Sequence, residues 1–151
     1  ERVRTMPGAE TLVRTMVGWG AHAALVSGGF TRFTDPVAEL LGFTEVHANV
    51  LEIRDGALTG ALVGDIVDAS TKRDVLVAAG LAKGLSVDDV LAVGDGANDI
   101  PVIATAVENG GLGVGFHPRP LLADAATLAV RHNDLTALLY AQGVSRAEWI
   151  S

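Results

Sequence analysis

The chain has 151 residues, 49% of them hydrophobic and 19% charged, with no cysteine and a net charge of −7. That length suits one domain whose core buries roughly 70% of the unfolded surface, and the composition excludes an intrinsically disordered chain. The missing cysteines exclude disulfides, thiolate metal sites and cysteine nucleophiles, and the acidic balance with scattered Lys and Arg argues against a nucleic-acid partner.

No apolar run approaches the roughly 18 residues needed to cross a bilayer, and the opening "ERVRTMPGAE" lacks the features of a signal peptide. The expectation is a soluble, cytoplasmic protein with no membrane partner. The chain opens on Glu1 and not on Met, which points to a fragment or a processed form.

In chain order, "AETLVRTMVGWG" spaces Leu12, Val13, Met16, Val17 and Trp19 as a helix does, with Pro7 and Gly8 before it and Gly20 after it. The run from Ala23 to Val26 is continuously apolar, which predicts a strand buried on both faces. "FTRFTDPVAELLGF" predicts a second helix, its main body after residue 35 because of Pro36. "EVHANVLEIRDGALTGALVGDIV" switches to alternation, and Asp55–Gly56 supplies a hairpin turn. "STKRDVLVAAGLAKG" predicts an amphipathic helix with Ser70 as N-cap and Gly84 as terminator. "SVDDVLAVGDGANDIPVIATA" reads as strand, tight loop and helix. "GLGVGF" reads as a strand, "RPLLADAA" as a short helix, "TLAV" as a strand, and "NDLTALLYAQG" as a closing capped helix.

Strands alternating with helices at this spacing mean βαβ units around a mostly parallel sheet. The expected fold is α/β, Rossmann-like, with helices on both faces and one β-hairpin, in a single domain over residues 1–151.

Ligands of open α/β sheets sit beyond the carboxyl ends of the strands. Ser27, Gly28 and Gly29 end one strand there and offer a hydroxyl and accessible amides to an anion; a tight strand-to-helix turn explains the same residues. In "GDGAND", Asp95 would project from a strand end between Gly94 and Gly96, with Asn98 and Asp99 opening a helix. An Asp so placed suits Mg²⁺, which commonly takes one or two carboxylates and completes its shell with phosphate and water; a turn rich in Asp and Asn accounts for it equally well. EF-hand spacing is absent. Lys72 sits in a helix's first turn, against the helix dipole, where it could serve a nearby anion or be merely solvated. Hydroxyl, lysine and carboxylate in this order meet the needs of phosphoryl transfer, where positioning and charge stabilisation dominate. The histidines His22, His47, His117 and His132 show no metal-ligand spacing, and only His117 falls near this set.

The order "VSGGF", Lys72, "GDGANDIP" resembles the haloacid-dehalogenase superfamily of phosphatases, and within it the phosphoserine phosphatases. "MPGAETLVRTMVGWG", "ANVLEIRDGALTG", "GDIVDASTK", "LGVGFHPRP" and "RHNDL" extend the likeness over residues 2–142. The resemblance implies hydrolysis of a small phosphomonoester, L-phosphoserine, through an aspartyl-phosphate, with Mg²⁺ as cofactor, as the last step of serine biosynthesis. It implies that Ser27 and Gly28 bind phosphoryl oxygens and that Lys72 neutralises charge at the phosphate. Asp95 would ligate Mg²⁺, Asn98 would contact the phosphate or the attacking water, and Asp99 would support the metal from behind. Mn²⁺ shares the preference for oxygen ligands. Rival readings are another small-molecule phosphomonoesterase of the superfamily and a non-catalytic binding module.

One part is missing. The superfamily's nucleophile and its general acid–base come from an Asp-x-Asp motif, and these 151 residues contain none. The helical cap that reads the substrate's serine end is missing with it. In that family the nucleophile strand lies between the strands ending in SGG and GDG, so this chain alone is expected to be an incomplete, inactive core. A preceding segment of a longer chain, a partner chain or a second copy in a homodimer would have to fill the gap.

Overall fold

The computed structural model describes residues 3–151, with the side chain of Val87 outside that description. Contacts divide the chain into two compact units, one of residues up to 67 together with 134–151, the other of residues 68–133.

The first unit holds α1 (Ala9–Gly18), β1 (Ala24–Phe30), α2 (Thr31–Leu41), β2 (Glu45–Arg54) and β3 (Ala57–Val63), and ends with α6 (Ala137–Ala141). Its sheet runs β1-β2-β3, parallel between β1 and β2 and antiparallel across the hairpin. Asp55 and Gly56 turn the hairpin with φ of 50° and 77°, the left-handed pair that a two-residue turn of this hand requires. The helix expected after Pro36 begins five residues earlier, at Thr31, and contains the proline. Pro36 withholds one amide from an early turn, while the Thr34 hydroxyl donates to the Phe30 carbonyl at 3.4 Å beside it. Apolar faces of α1, α2 and α6 bury Leu12, Val13, Ala38, Leu41, Leu138 and Leu139. The C-terminal residues lie on α1, where the Ile150 amide donates to the buried Thr15 hydroxyl at 2.9 Å.

The second unit holds α3 (Ala69–Lys83), β4 (Leu91–Gly94), α4 (Ile100–Glu108), β5 (Leu112–Phe116), α5 (Pro120–Ala125) and β6 (Leu128–Val130). Its sheet is wholly parallel in the order β4-β5-β6, with Gly94 opposite Gly115. Ala92, Val102, Ile103, Ala106 and Leu122 form its core, with Leu76 of α3 packed against them. Two expectations for α3 change. Its N-cap is Asp68 and not Ser70, because Asp68 and Thr71 at the capping-box spacing satisfy two amides reciprocally. It also buries no residue completely and leaves Leu81 78% exposed, so the amphipathic face is only partly used. Gly84 closes the helix with φ of 62°, as expected.

The apolar run of β1 was expected to be buried on both faces, yet Ala24 to Val26 are only partly buried. β1 is an edge strand, paired among the described residues with β2 alone. β4 is likewise an edge of its own sheet, and its Val93 is 39% exposed. Both edges thus carry strand sequences of the kind found inside parallel sheets.

Candidate active site

β4 ends at Gly94, and the chain turns through Asp95 and Gly96 into a single 3-10 turn, Ala97–Asp99, before α4 begins with Pro101 in its first turn. Asp99 organises this loop. Its Oδ2 accepts the amides of Asp95 at 3.1 Å and Gly96 at 3.2 Å, and its Oδ1 accepts Lys72 Nζ at 2.6 Å. The two side chains are 12% and 8% exposed, so this is an ion pair largely withdrawn from water. Gly94 makes room for it: a Cβ there would lie 2.3 Å from Asp99 Cβ.

Lys72 is fixed from its own helix. The Asp68 carboxylate accepts the Thr71 amide at 2.9 Å and the Ser70 hydroxyl at 2.7 Å, and these bonds hold its pKa down to about 2. The cap sets the start of α3, and with it the position of Lys72 one turn later.

Asp95 stands differently. It is exposed, its carboxylate has no hydrogen bond or ion pair among the described residues, and its backbone carbonyl accepts the Arg119 amide at 3.1 Å. Asn98 is also exposed, at the surface of the same loop. Lys72, Asp95, Asn98 and Asp99 are therefore brought together in the second unit. Among the described residues no group of three or more His, Asp or Glu is placed to hold a metal ion. The donor set nonetheless suits a hard cation that takes one protein carboxylate, Asp95, because Asp99 has committed both oxygens elsewhere.

Ser27 and Gly28 lie in the first unit, at the carboxyl end of β1. The register with β2 shifts between Val26 and Phe30, so the SGG segment bulges from the ladder. The Gly29 amide donates to Ser27 Oγ at 3.0 Å, which leaves the hydroxyl proton of Ser27 to donate elsewhere. Asn49, 6% exposed on β2, braces this bulge: its Nδ2 donates to the Gly28 carbonyl at 2.9 Å and its Oδ1 accepts the Val67 amide at 2.8 Å. Sequence reasoning missed Asn49. In "EVHANVLEI" it alternates onto the same side as the polar Glu45 and His47, so the pattern gave no signal that set it apart.

The haloacid dehalogenase-like hydrolase family matches residues 1–104. The chain belongs to that family. As a haloacid dehalogenase-like hydrolase it is similar to phosphoserine phosphatases of Streptomyces coelicolor, 43% identical over 97% of this chain and 35% of the relative, and of Albidiferax ferrireducens, 41% identical over 92% and 59%. A crystal structure of a probable phosphoserine phosphatase from Vibrio cholerae superposes with a TM-score of 0.83 at 36% identity, covering 93% of this chain and 45% of that one. A substrate-bound phosphoserine phosphatase gives 0.80 at 31%, covering 93% and 64%. The chain thus spans about a third to three-fifths of these relatives' lengths. The α/β expectation holds, and no helix among the described residues is long and apolar enough to cross a membrane.

Proposed function

We propose that this chain is the phosphate- and cation-holding part of a phosphoserine phosphatase, and that residues 1–151 are one partial core domain of that enzyme. The observation that carries this reading is the Asp99 carboxylate, which holds Lys72 on one oxygen and the Asp95–Gly96 amides on the other. That arrangement keeps an ammonium next to a loop whose remaining carboxylate, Asp95, is free to bind a cation. Likeness to phosphoserine phosphatases over nearly the whole chain supports the substrate assignment.

In the proposed reaction, an aspartate supplied from outside these 151 residues attacks phosphorus. A P–O bond to that carboxylate forms as the ester P–O bond breaks, and the departing serine oxygen takes a proton from the general acid. Water then attacks the aspartyl-phosphate, giving a proton to the same residue now acting as base, as the acyl-phosphate P–O bond breaks and inorganic phosphate leaves. Lys72 neutralises phosphoryl charge, Ser27 and the Gly28 backbone donate to phosphoryl oxygens, and Asn98 orients the phosphate or the water. Asp95 would hold Mg²⁺, which when bound neutralises charge that builds on the phosphoryl group. Asp99 keeps Lys72 and the loop in register.

The protein would act in the cytoplasm, at the end of serine biosynthesis, and the chain alone would be inactive. The missing strand would come from a longer chain, from a partner chain or from a second copy in a homodimer. The test compares this chain with a longer protein that carries an Asp-x-Asp segment, against phosphoserine and a panel of other phosphomonoesters. The expected result is Mg²⁺-dependent, phosphoserine-selective hydrolysis by the longer protein alone. A preference for another monoester would assign a different phosphatase of the family, and normal turnover by the 151-residue chain would refute the missing-nucleophile reading.

A further inference from the structure

We infer that the turn His117–Arg119 is a positioning device for Asp95, and that its working group is the Arg119 backbone amide. The inference rests on the reading of Asp95 as the cation-holding carboxylate. Asp95 is fastened at both of its backbone polar groups: its N–H donates to Asp99 Oδ2 at 3.1 Å, and its C=O accepts from the Arg119 amide at 3.1 Å. Only its carboxylate is left without a partner among the described residues, and it is exposed. Fixing both peptide groups around one residue restricts where its side chain can point, as a group held in advance for a ligand requires.

The turn that delivers the Arg119 amide is built against backbone preference. His117 has φ of +45°, one of two non-glycine residues among those described with positive φ, and the other is the hairpin residue Asp55. Three contacts hold it there. Its amide donates to the Val130 carbonyl at 2.7 Å, its Nε2 donates to the Asn133 carbonyl at 2.9 Å, and its ring stacks on Phe116 with centroids 4.3 Å apart. Pro118 then packs on Gly115, where a Cβ would lie 2.8 Å from the proline ring. Gly115 is the residue paired with Gly94, so the loops leaving β4 and β5 start side by side. Uncommon backbone conformations held by several contacts in this way cluster at functional sites.

The geometry allows the amide to be separated from the guanidinium. Arg119 has φ of −68°, the value a proline ring imposes, so Arg119→Pro removes the N–H donor at a compatible backbone angle. Arg119→Ala keeps the donor and removes the charge. The readouts on the 151-residue chain are amide hydrogen exchange at Asp95 and Gly96, and broadening of the same amide signals by Mn²⁺ as a paramagnetic probe. Arg119→Pro is expected to speed exchange there by up to about tenfold and to raise the Mn²⁺ needed for half-broadening by a similar factor, with Arg119→Ala close to wild type. Unchanged exchange in Arg119→Pro, or equal effects of the two variants, overturns the inference. Should Arg119→Pro lose its native spectrum, His117→Ala provides the same test: it should loosen Asp95 and Gly96, and His117→Asn, which tolerates positive φ, should restore them. Equal protection in wild type and His117→Ala then refutes the inference. Mn²⁺ broadening that survives Asp95→Asn would refute the cation-site reading, while the exchange comparison still decides the role of the turn.

Discussion

Lys72 Nζ and Asp99 Oδ1 lie 2.6 Å apart in an ion pair that water scarcely reaches. Removing one partner from such a pair leaves an uncompensated buried charge, which costs about 3–5 kcal/mol. Lys72→Met should therefore destabilise the chain by about 3 kcal/mol in urea unfolding. The double variant Lys72→Met/Asp99→Leu should recover part of that loss. It would still lose the amide acceptor that shapes the Asp95 loop, so recovery should be incomplete. A double variant no more stable than Lys72→Met would show that the pair is not the source of the cost.

Gly94 and Asp99 predict a steric effect at the same place. A Cβ on residue 94 would stand 2.3 Å from Asp99 Cβ and 2.7 Å from Asp99 Oδ2, too close for either atom to stay. Gly94→Ala should displace the carboxylate and with it the bonds to Lys72, Asp95 and Gly96. The expected destabilisation is about 2 kcal/mol, as for an overpacked core position. Gly96→Ala is the comparison: its nearest neighbour is the exposed Asn98 side chain at 3.1 Å, which can move. Equal thermal stability of the two variants would contradict the steric account.

The pH dependence of α3 follows from its cap. Bonds from the Thr71 amide first, and the Ser70 hydroxyl second, hold Asp68 at about 2, below the roughly 3.9 of an unstructured aspartate. A depressed folded-state pKa means stability that is complete above the unfolded value and lost as pH falls through the folded one. The stabilising contribution of Asp68 should therefore fade between about pH 4 and pH 2. Wild type and Asp68→Ala should converge in thermal stability across that interval and differ above it. Curves that stay parallel to pH 2 would rule the cap out as the cause.

Much of this was readable beforehand, and the reasons differ by residue. "GDGAND" and Lys72 were legible because glycine, carboxylate and lysine carry their chemistry in the side chain or in its absence. Asp55–Gly56 was legible because few residue pairs tolerate two left-handed conformations in succession. The N-cap moved from Ser70 to Asp68 because two candidates compete within three residues, and the reciprocal bond to Thr71 decides between them. The apolar run of β1 reads as a strand buried on both faces, while β1 is an edge here, since a run of side chains records a preferred environment and not the neighbour that provides it. The Arg119 amide left no trace in the sequence, because every residue but proline has one.

Asn49 carries the last prediction. It is 6% exposed and satisfies two backbone groups, the Gly28 carbonyl and the Val67 amide. Asn49→Leu keeps the branching of the side chain, though with bulkier methyl groups, but strands both groups, each at a cost of about 1–3 kcal/mol if water cannot reach it. Gly28 is itself exposed, so its carbonyl can recover a water, whereas replacing the bond to the Val67 amide requires the chain there to move. The expected total is therefore nearer 2 kcal/mol than the sum, with hydrogen exchange rising at Val67 more than along β2. Asn49→Asp separates the two bonds, because a carboxylate still accepts the Val67 amide but cannot donate to Gly28. Protection at Val67 should survive in Asn49→Asp and vanish in Asn49→Leu, and loss of protection in both would show that the Gly28 bond is the one that holds the bulge.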